Sequence, residues 1–115
     1  MRLFILLFLF LYSATAFAAH KMPERTYQKM YCPYQAEVRL SDNTRVDCLT
    51  DKYAIEFDFA PKWAEALGQS LHYAHMTGRM PAIFLIVEHE RDMRHVQRLK
   101  PLCEKYGVQL TLIFY

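Results

Sequence analysis

Asp47, Glu56 and Asp58 have the types and spacing that could do chemistry. In a strand over Tyr53 to Phe59, side chains alternate between faces. Ala54, Glu56 and Asp58 share one face, and Ile55, Phe57 and Phe59 the other. Two acids on one face sit about 7 Å apart. A strand over Arg45 to Thr50 precedes it, and a two-residue turn at Asp51-Lys52 sets Asp47 opposite Glu56 and Arg45 opposite Asp58. Carboxylates whose Cβ atoms lie about 5 Å apart repel unless a proton or cation sits between them. Arg45 would neutralise Asp58 and leave Asp47 and Glu56 in need of a partner. An all-oxygen pair of this kind suits Mg²⁺ or Mn²⁺, which keep several waters and can bind phosphate. The plainer reading is a solvated acidic face on an edge hairpin, balanced by Arg45 and Lys52.

The elements that must position these residues follow from periodicity and breakers. A helix over Glu24 to Tyr31 is stopped by Pro33. Ala36 to Leu40 alternates weakly as a strand, and Ser41-Asp42-Asn43-Thr44 is a turn cluster. Pro61 opens a helix that runs to Thr77 and is closed by Gly78. On it Lys62, Ala66, Gln69 and Tyr73 fall on one face, and Trp63, Leu67, Leu71 and Ala74 form the apolar stripe. Pro81 to Val87 is apolar on both faces, as central parallel strands are. A helix over Arg91 to Tyr106 and a strand over Val108 to Phe114 complete the order α-β-β-β-α-β-α-β. The fold class is α/β, a mixed sheet with helices packed on it. The last strand is long and apolar. At an open sheet edge it would favour pairing with another chain, a homodimer included. Arg91, Arg94, Arg98 and Lys100 offer a basic patch for nucleic acid that Glu90 and Asp92 weaken. The plainer reading of Glu88 to Arg98 is a solvated loop and helix start.

The first eighteen residues read differently. Arg2 is followed by an unbroken apolar run, Leu3 to Tyr12, and by Ala16-Phe17-Ala18, the pattern of a cleavable secretory signal peptide. The run is too short to span a bilayer of about 30 Å. Cleavage would leave residues 19–115 as a single exported domain, periplasmic or secreted; a retained N-terminal anchor is the alternative. With 115 residues, 53% hydrophobic and 23% charged, the chain is neither disordered nor collagen-like. A net charge of +2 does not by itself argue for nucleic acid or an anionic membrane. Cys32, Cys48 and Cys103 all follow the leader and can pair outside the cytoplasm. Three single bridges are open to them. Cys32–Cys48 is favoured, its loop of about 16 residues contributing roughly 3 kcal/mol. Three buried free thiols are the alternative.

The order of these motifs resembles the PD-(D/E)xK nuclease superfamily, whose restriction-endonuclease-like core runs α-β-β-β-α-β. Arg45-Val46-Asp47 matches its second-strand acid, and Glu56-Phe57-Asp58 occupies its acid-x-Lys position. Gln69-Ser70-Leu71-His72-Tyr73 matches the Gln-x-x-x-Tyr helix of the exonuclease-type branch. The stretch from Arg45 to Gln69 is also similar to a group of small exported bacterial proteins. The resemblance covers Glu24 to Glu88, with an added helix and a C-terminal strand. One position departs from it: Asp58 stands where the superfamily has lysine. Lys62, one turn into the next helix, is the substitute that some relatives imply.

The resemblance implies a metal-dependent phosphodiesterase acting on DNA. Asp47, Glu56 and the backbone carbonyl of Phe57 would hold Mg²⁺ or Mn²⁺. Lys62 would act on the attacking water, and Gln69 and Tyr73 would position substrate. Glu24 matches the acid often found on the first helix, and Glu37 is a second candidate. Two rivals stand beside this expectation: a non-catalytic binding protein on a degenerate nuclease fold, and a small envelope or inhibitor protein acting through its surface.

Overall fold

The computed structural model describes residues 19–115, and the expected leader, Met1–Ala18, lies outside them. The chain forms α1 (Glu24–Tyr31), β1 (Gln35–Arg39), β2 (Arg45–Leu49), β3 (Tyr53–Phe59), α2 (Trp63–Thr77), β4 (Met80–Val87), α3 (Met93–Tyr106) and β5 (Gln109–Phe114). Single 3₁₀ turns, Ala60–Lys62 and Glu90–Asp92, lead into α2 and α3. These helices therefore begin two residues later than the breaker pattern suggests. At α2 the Pro61 ring, which has no N–H to donate, falls in that tighter opening turn. Gly78 and Gly107 end α2 and α3 with φ of 70° and 69°, the left-handed geometry that glycine adopts without a Cβ penalty.

The five strands lie in chain order across one mixed sheet. β1, β2 and β3 run antiparallel, while β4 and β5 are parallel to β3 and to each other. The central strands β3 and β4 are buried on both sides, while β1 is largely exposed. Tyr27 of α1 packs against Ile55, Phe57, Phe59 and Ile86 on one face. On the other, α2 and α3 cover Ile83, Leu85 and Val87 through Leu67, Leu71, Val96 and Leu99. The apolar stripe expected of Trp63, Leu67 and Leu71 faces this core. β5 is an edge strand, and Phe114, paired with Val87 at its end, is 63% exposed.

Three ties fix the parts that carry the acids. Cys32, at the C-terminal cap of α1, is bonded to Cys48 of β2. His72 Nε2 of α2 meets Asp42 Oδ2 in the β1–β2 loop at 2.7 Å. Asp42 Oδ1 also accepts from Thr44 N at 3.0 Å and Thr44 Oγ1, and these bonds, more than the His72 contact, hold the Asp42 carboxyl down at about 2. Cys103 remains a free thiol, buried in α3, and burial pushes it up to about 11.

Candidate functional site: a buried acid cluster

The β2–β3 hairpin turns as its sequence predicts. Thr50 N–H donates to the Tyr53 carbonyl at 2.9 Å, and Cys48 stands opposite Ile55 and Leu49 opposite Ala54. That register brings Asp47 to Glu56. The ladder, however, stops at Cys48. Cys48 packs on the α1 side of the sheet, yet Val46, two residues earlier, packs with Ala54 and Tyr73 on the α2 side. Residues two apart in a regular strand share a face, so β2 reverses its faces at Asp47. The same break occurs next door. Pairing of Ala36 with Cys48 and Val38 with Val46 sets Glu37 across from Asp47, and Glu37 has φ of 53°. A glutamate in left-handed backbone is uncommon and strained.

The consequence falls on Asp47. Its Oδ2 accepts the Phe57 N–H at 2.8 Å, so the carboxylate reaches between the strands where a backbone carbonyl would otherwise pair. It is also in hydrogen-bond contact with the Glu56 carboxyl. Burial, followed by the charge of Asp47, raises the Glu56 carboxyl far above the ordinary range. Burial raises Asp47 too, against the opposing effects of the Phe57 N–H and the Glu56 carboxyl. The pair retains a proton where free carboxylates would have lost it. Glu56 Oε2 is buried with no hydrogen-bond partner.

Other predicted residues gather around this pair. Glu24 at the start of α1 is raised to about 7 by burial and by the charges of Asp47 and Asp58, against opposing effects from Gln28 and Lys62. Asp58 is raised to about 6, chiefly by burial, while the Phe59 N–H and Lys62 act against it. Tyr73 is pushed up to about 12 by burial, then by Glu56 and Asp47. Gln69 is half-buried one turn before Tyr73 on α2. Glu37 is exposed, and its charge still acts on Asp47. The phenyl ring of Phe57 belongs to the α1-side core, and its N–H is committed to Asp47.

Two expectations from the strand pattern need correction. The acids do not form a solvated face: Glu56 is 5% and Asp58 4% exposed. α2 covers them because Ala54, Glu56 and Asp58 share the sheet face that carries Ile83 and Leu85. Nor does Arg45 neutralise Asp58. Arg45 stands opposite Arg39 of β1, because the ladder to β3 has ended before it. Among the described residues the ion pairs are His20–Glu88 and His72–Asp42, so no cation lies within 4.0 Å of the four clustered acids.

The segment Glu88 to Arg98 is also less solvated than its charge suggests. Glu88, Asp92 and His95 are buried. Glu88 Oε1 meets His20 Nδ1 at 2.6 Å and Oε2 accepts Lys21 N–H at 2.6 Å, with Tyr27 OH at 3.4 Å. Burial opposes ionisation of Glu88, but these bonds outweigh it and hold the carboxyl below its ordinary value. His20 stacks on Phe59 at 3.5 Å between ring centroids, and Lys21 Nζ donates to the Tyr115 carbonyl. Asp92 Oδ2 accepts the N–H groups of Glu88 and His89. The sequence signal for this cluster was an acid placed directly after the apolar run of β4.

Among the described residues no three His, Cys, Asp or Glu side chains converge as a ready metal cage. No helix among them is long and apolar enough to cross a membrane. The two-carboxylate arrangement still fits a hard dication, because Mg²⁺ needs one or two carboxylates and completes its shell with water and substrate oxygen. The orphaned Glu56 Oε2 is the atom that such an ion would satisfy. Compared with protein-family models, with curated proteins and with solved structures, the chain finds no match.

Proposed function

We propose that the chain is an exported, metal-dependent phosphodiesterase of nuclease type, built on a restriction-endonuclease-like core of the PD-(D/E)xK kind and acting on DNA. One observation carries this reading: buried Glu56 lies against half-buried Asp47, with one Glu56 carboxylate oxygen orphaned and no cation within 4.0 Å among the described residues. Leaving such groups unmatched costs stability, and a fold keeps that cost where the groups are used.

Asp47 and Glu56 would hold Mg²⁺ or Mn²⁺, with the Phe57 carbonyl as the third protein ligand. When bound, the ion supplies a water of lowered pKa and a counter-charge for the phosphate. The chain's own groups do the remainder. Lys62 is exposed at the N-terminal end of α2, and its charge reaches Glu24 and Asp58. It orients the water and offsets charge that develops on phosphate. Glu24, raised to about 7, takes up a proton near neutral pH. Gln69 and the Tyr73 phenol orient the sugar-phosphate chain. The disulfide supports the export part of the reading, since such bonds persist in oxidising compartments.

The rival is a non-catalytic exported binding or inhibitor protein on the same scaffold. It draws on Asp58, buried where the nuclease pattern has lysine. Calorimetric titration of the disulfide-intact protein with Mn²⁺ separates the two. The phosphodiesterase reading expects saturable binding that Glu56→Gln abolishes, and Mn²⁺-dependent cleavage of DNA lost in the same variant. Absence of Mn²⁺ binding to the wild-type protein overturns it in favour of the rival.

A further inference from the structure

The two edges of the sheet are built on different terms. β1 is guarded: it is largely exposed, it carries Glu37 and Arg39, and the left-handed backbone at Glu37 kinks it. Charges and kinks of this kind keep an edge from pairing with another chain. β5 carries no charge, no proline and no residue of positive φ. Tyr115 N–H donates to the Val87 carbonyl at 3.2 Å, and alternate residues of a strand turn the same way, so Gln109, Thr111 and Ile113 face β4. The N–H and C=O groups of Leu110, Leu112 and Phe114 then point outward, where no strand among the described residues meets them. The side chains of Leu110 and Leu112 lie against the α3-side core, and Phe114 shares their face by alternation.

Two apolar hollows flank this edge and share Met93. The larger, of about 510 Å³, lies between α3 and the Leu110 end of β5, among Val96, Cys103 and Val108. The other, of about 380 Å³, lies at the Phe114 end. Val108 N–H donates to the Cys103 carbonyl, so the last turns of α3 sit beside the start of β5. Lys100 rims the larger hollow, with Glu104 one turn farther from the middle of the strand, and Glu90 rims the smaller one. Lys100 and Glu90 are exposed and in no ion pair among the described residues.

We propose that β5 pairs antiparallel with β5 of a second copy of this chain, about a two-fold axis at Leu112. This contact is separate from the acid cluster and does not depend on metal binding there. In that register Leu110 of each copy stands opposite Phe114 of the other, and Leu112 opposite Leu112. Every outward N–H and C=O group of the three residues finds a mate. Antiparallel pairing also exchanges the ends of the strand. The Phe114 ring, 63% exposed in the single chain, enters the larger hollow of the other copy beside Leu110. The same exchange sets the Lys100 rim of one copy against the Glu90 rim of the other, so the charges at the border are complementary.

Sedimentation velocity of the disulfide-intact protein over a concentration series tests the pairing. The wild-type protein is expected to form a dimer. Phe114→Lys, a change at an exposed side chain, should raise its dissociation constant about thirtyfold. Tyr34→Lys, at an equally exposed ring beside the guarded edge, should leave it unchanged. Lys100→Glu should weaken the dimer about fivefold, and adding Glu90→Lys should restore it. A wild-type protein that stays monomeric up to about 0.5 mM overturns the proposal. So does a dimer that Phe114→Lys and Tyr34→Lys weaken equally, or one in which Glu90→Lys fails to rescue Lys100→Glu.

Discussion

Two clusters of buried acids lie in this small domain, and they are built on opposite terms. At the carboxyl end of β4, Glu88 and Asp92 are surrounded by donors: a histidine, three backbone N–H groups and a phenol. Between β2 and β3, Asp47 has one backbone donor, Glu56 has an orphaned oxygen, and Glu24 and Asp58 add charge of the same sign. The first arrangement holds its acid ionised and stabilises the fold. The second makes ionisation costly and leaves an unmet demand for positive charge. Burial alone therefore does not mark a functional acid. What marks it is whether the fold supplies the donors.

The largest expected effect separates the clusters through function. Glu56→Gln should abolish saturable Mn²⁺ binding in calorimetry, because it removes one of the two carboxylate ligands. Its stability at pH 7 should stay within about 1 kcal/mol of wild type, because the amide still donates to Asp47. A variant that binds Mn²⁺ normally would erase the contrast. Next in size is the bridge that ties α1, the helix of Glu24, to β2 beside Asp47. Replacing both Cys32 and Cys48 by serine should cost about 3 kcal/mol in denaturant unfolding.

Glu88→Gln should cost about 2 kcal/mol at pH 7 without changing Mn²⁺ affinity. Its pH dependence has a definite sign. The folded-state pKa of Glu88 is lowered, so its contribution is present above the ordinary carboxylate value and fades as pH falls through the folded value. The gap between wild type and variant should then close in acid.

The other cluster slopes the opposite way. Glu24 and Asp58 are raised to about 7 and about 6. Their protonated forms contribute stability that is complete below the ordinary carboxylate range and is lost as pH rises through those values. Metal-free protein should lose melting temperature between pH 5 and pH 8, and Mn²⁺ should restore it at the upper end. The smallest effect expected is a gain. Glu37→Gly relieves a left-handed glutamate and should raise stability by up to about 1 kcal/mol.

The elements were legible because short apolar runs between clear breakers leave few choices. The two-residue turn at Asp51-Lys52 then set the register that joins Asp47 to Glu56. The helical face of Lys62, Gln69 and Tyr73 followed from periodicity, and Tyr73 does reach the charges of that pair. The face reversal at Glu37 and Asp47 was not legible. Neither residue is a glycine or asparagine, and the reversal arises from two strands kinking together. The burial of Glu56 and Asp58 depends on how α2 crosses the sheet, which strand alternation does not encode. His20 and Glu88 lie 68 positions apart, and nothing local in either neighbourhood announces their contact.

The helix that carries Glu24 is clamped at both ends. His20 and Lys21 hold its approach to Glu88 and the C-terminal carbonyl, and Cys32 bolts its exit to β2 beside Asp47. Such a mount holds the helix from both sides, so Glu24 keeps its place relative to Asp47. On the proposed function, a metal ion would meet a preset jaw rather than a closing one. The entropy of arranging it has already been surrendered during folding.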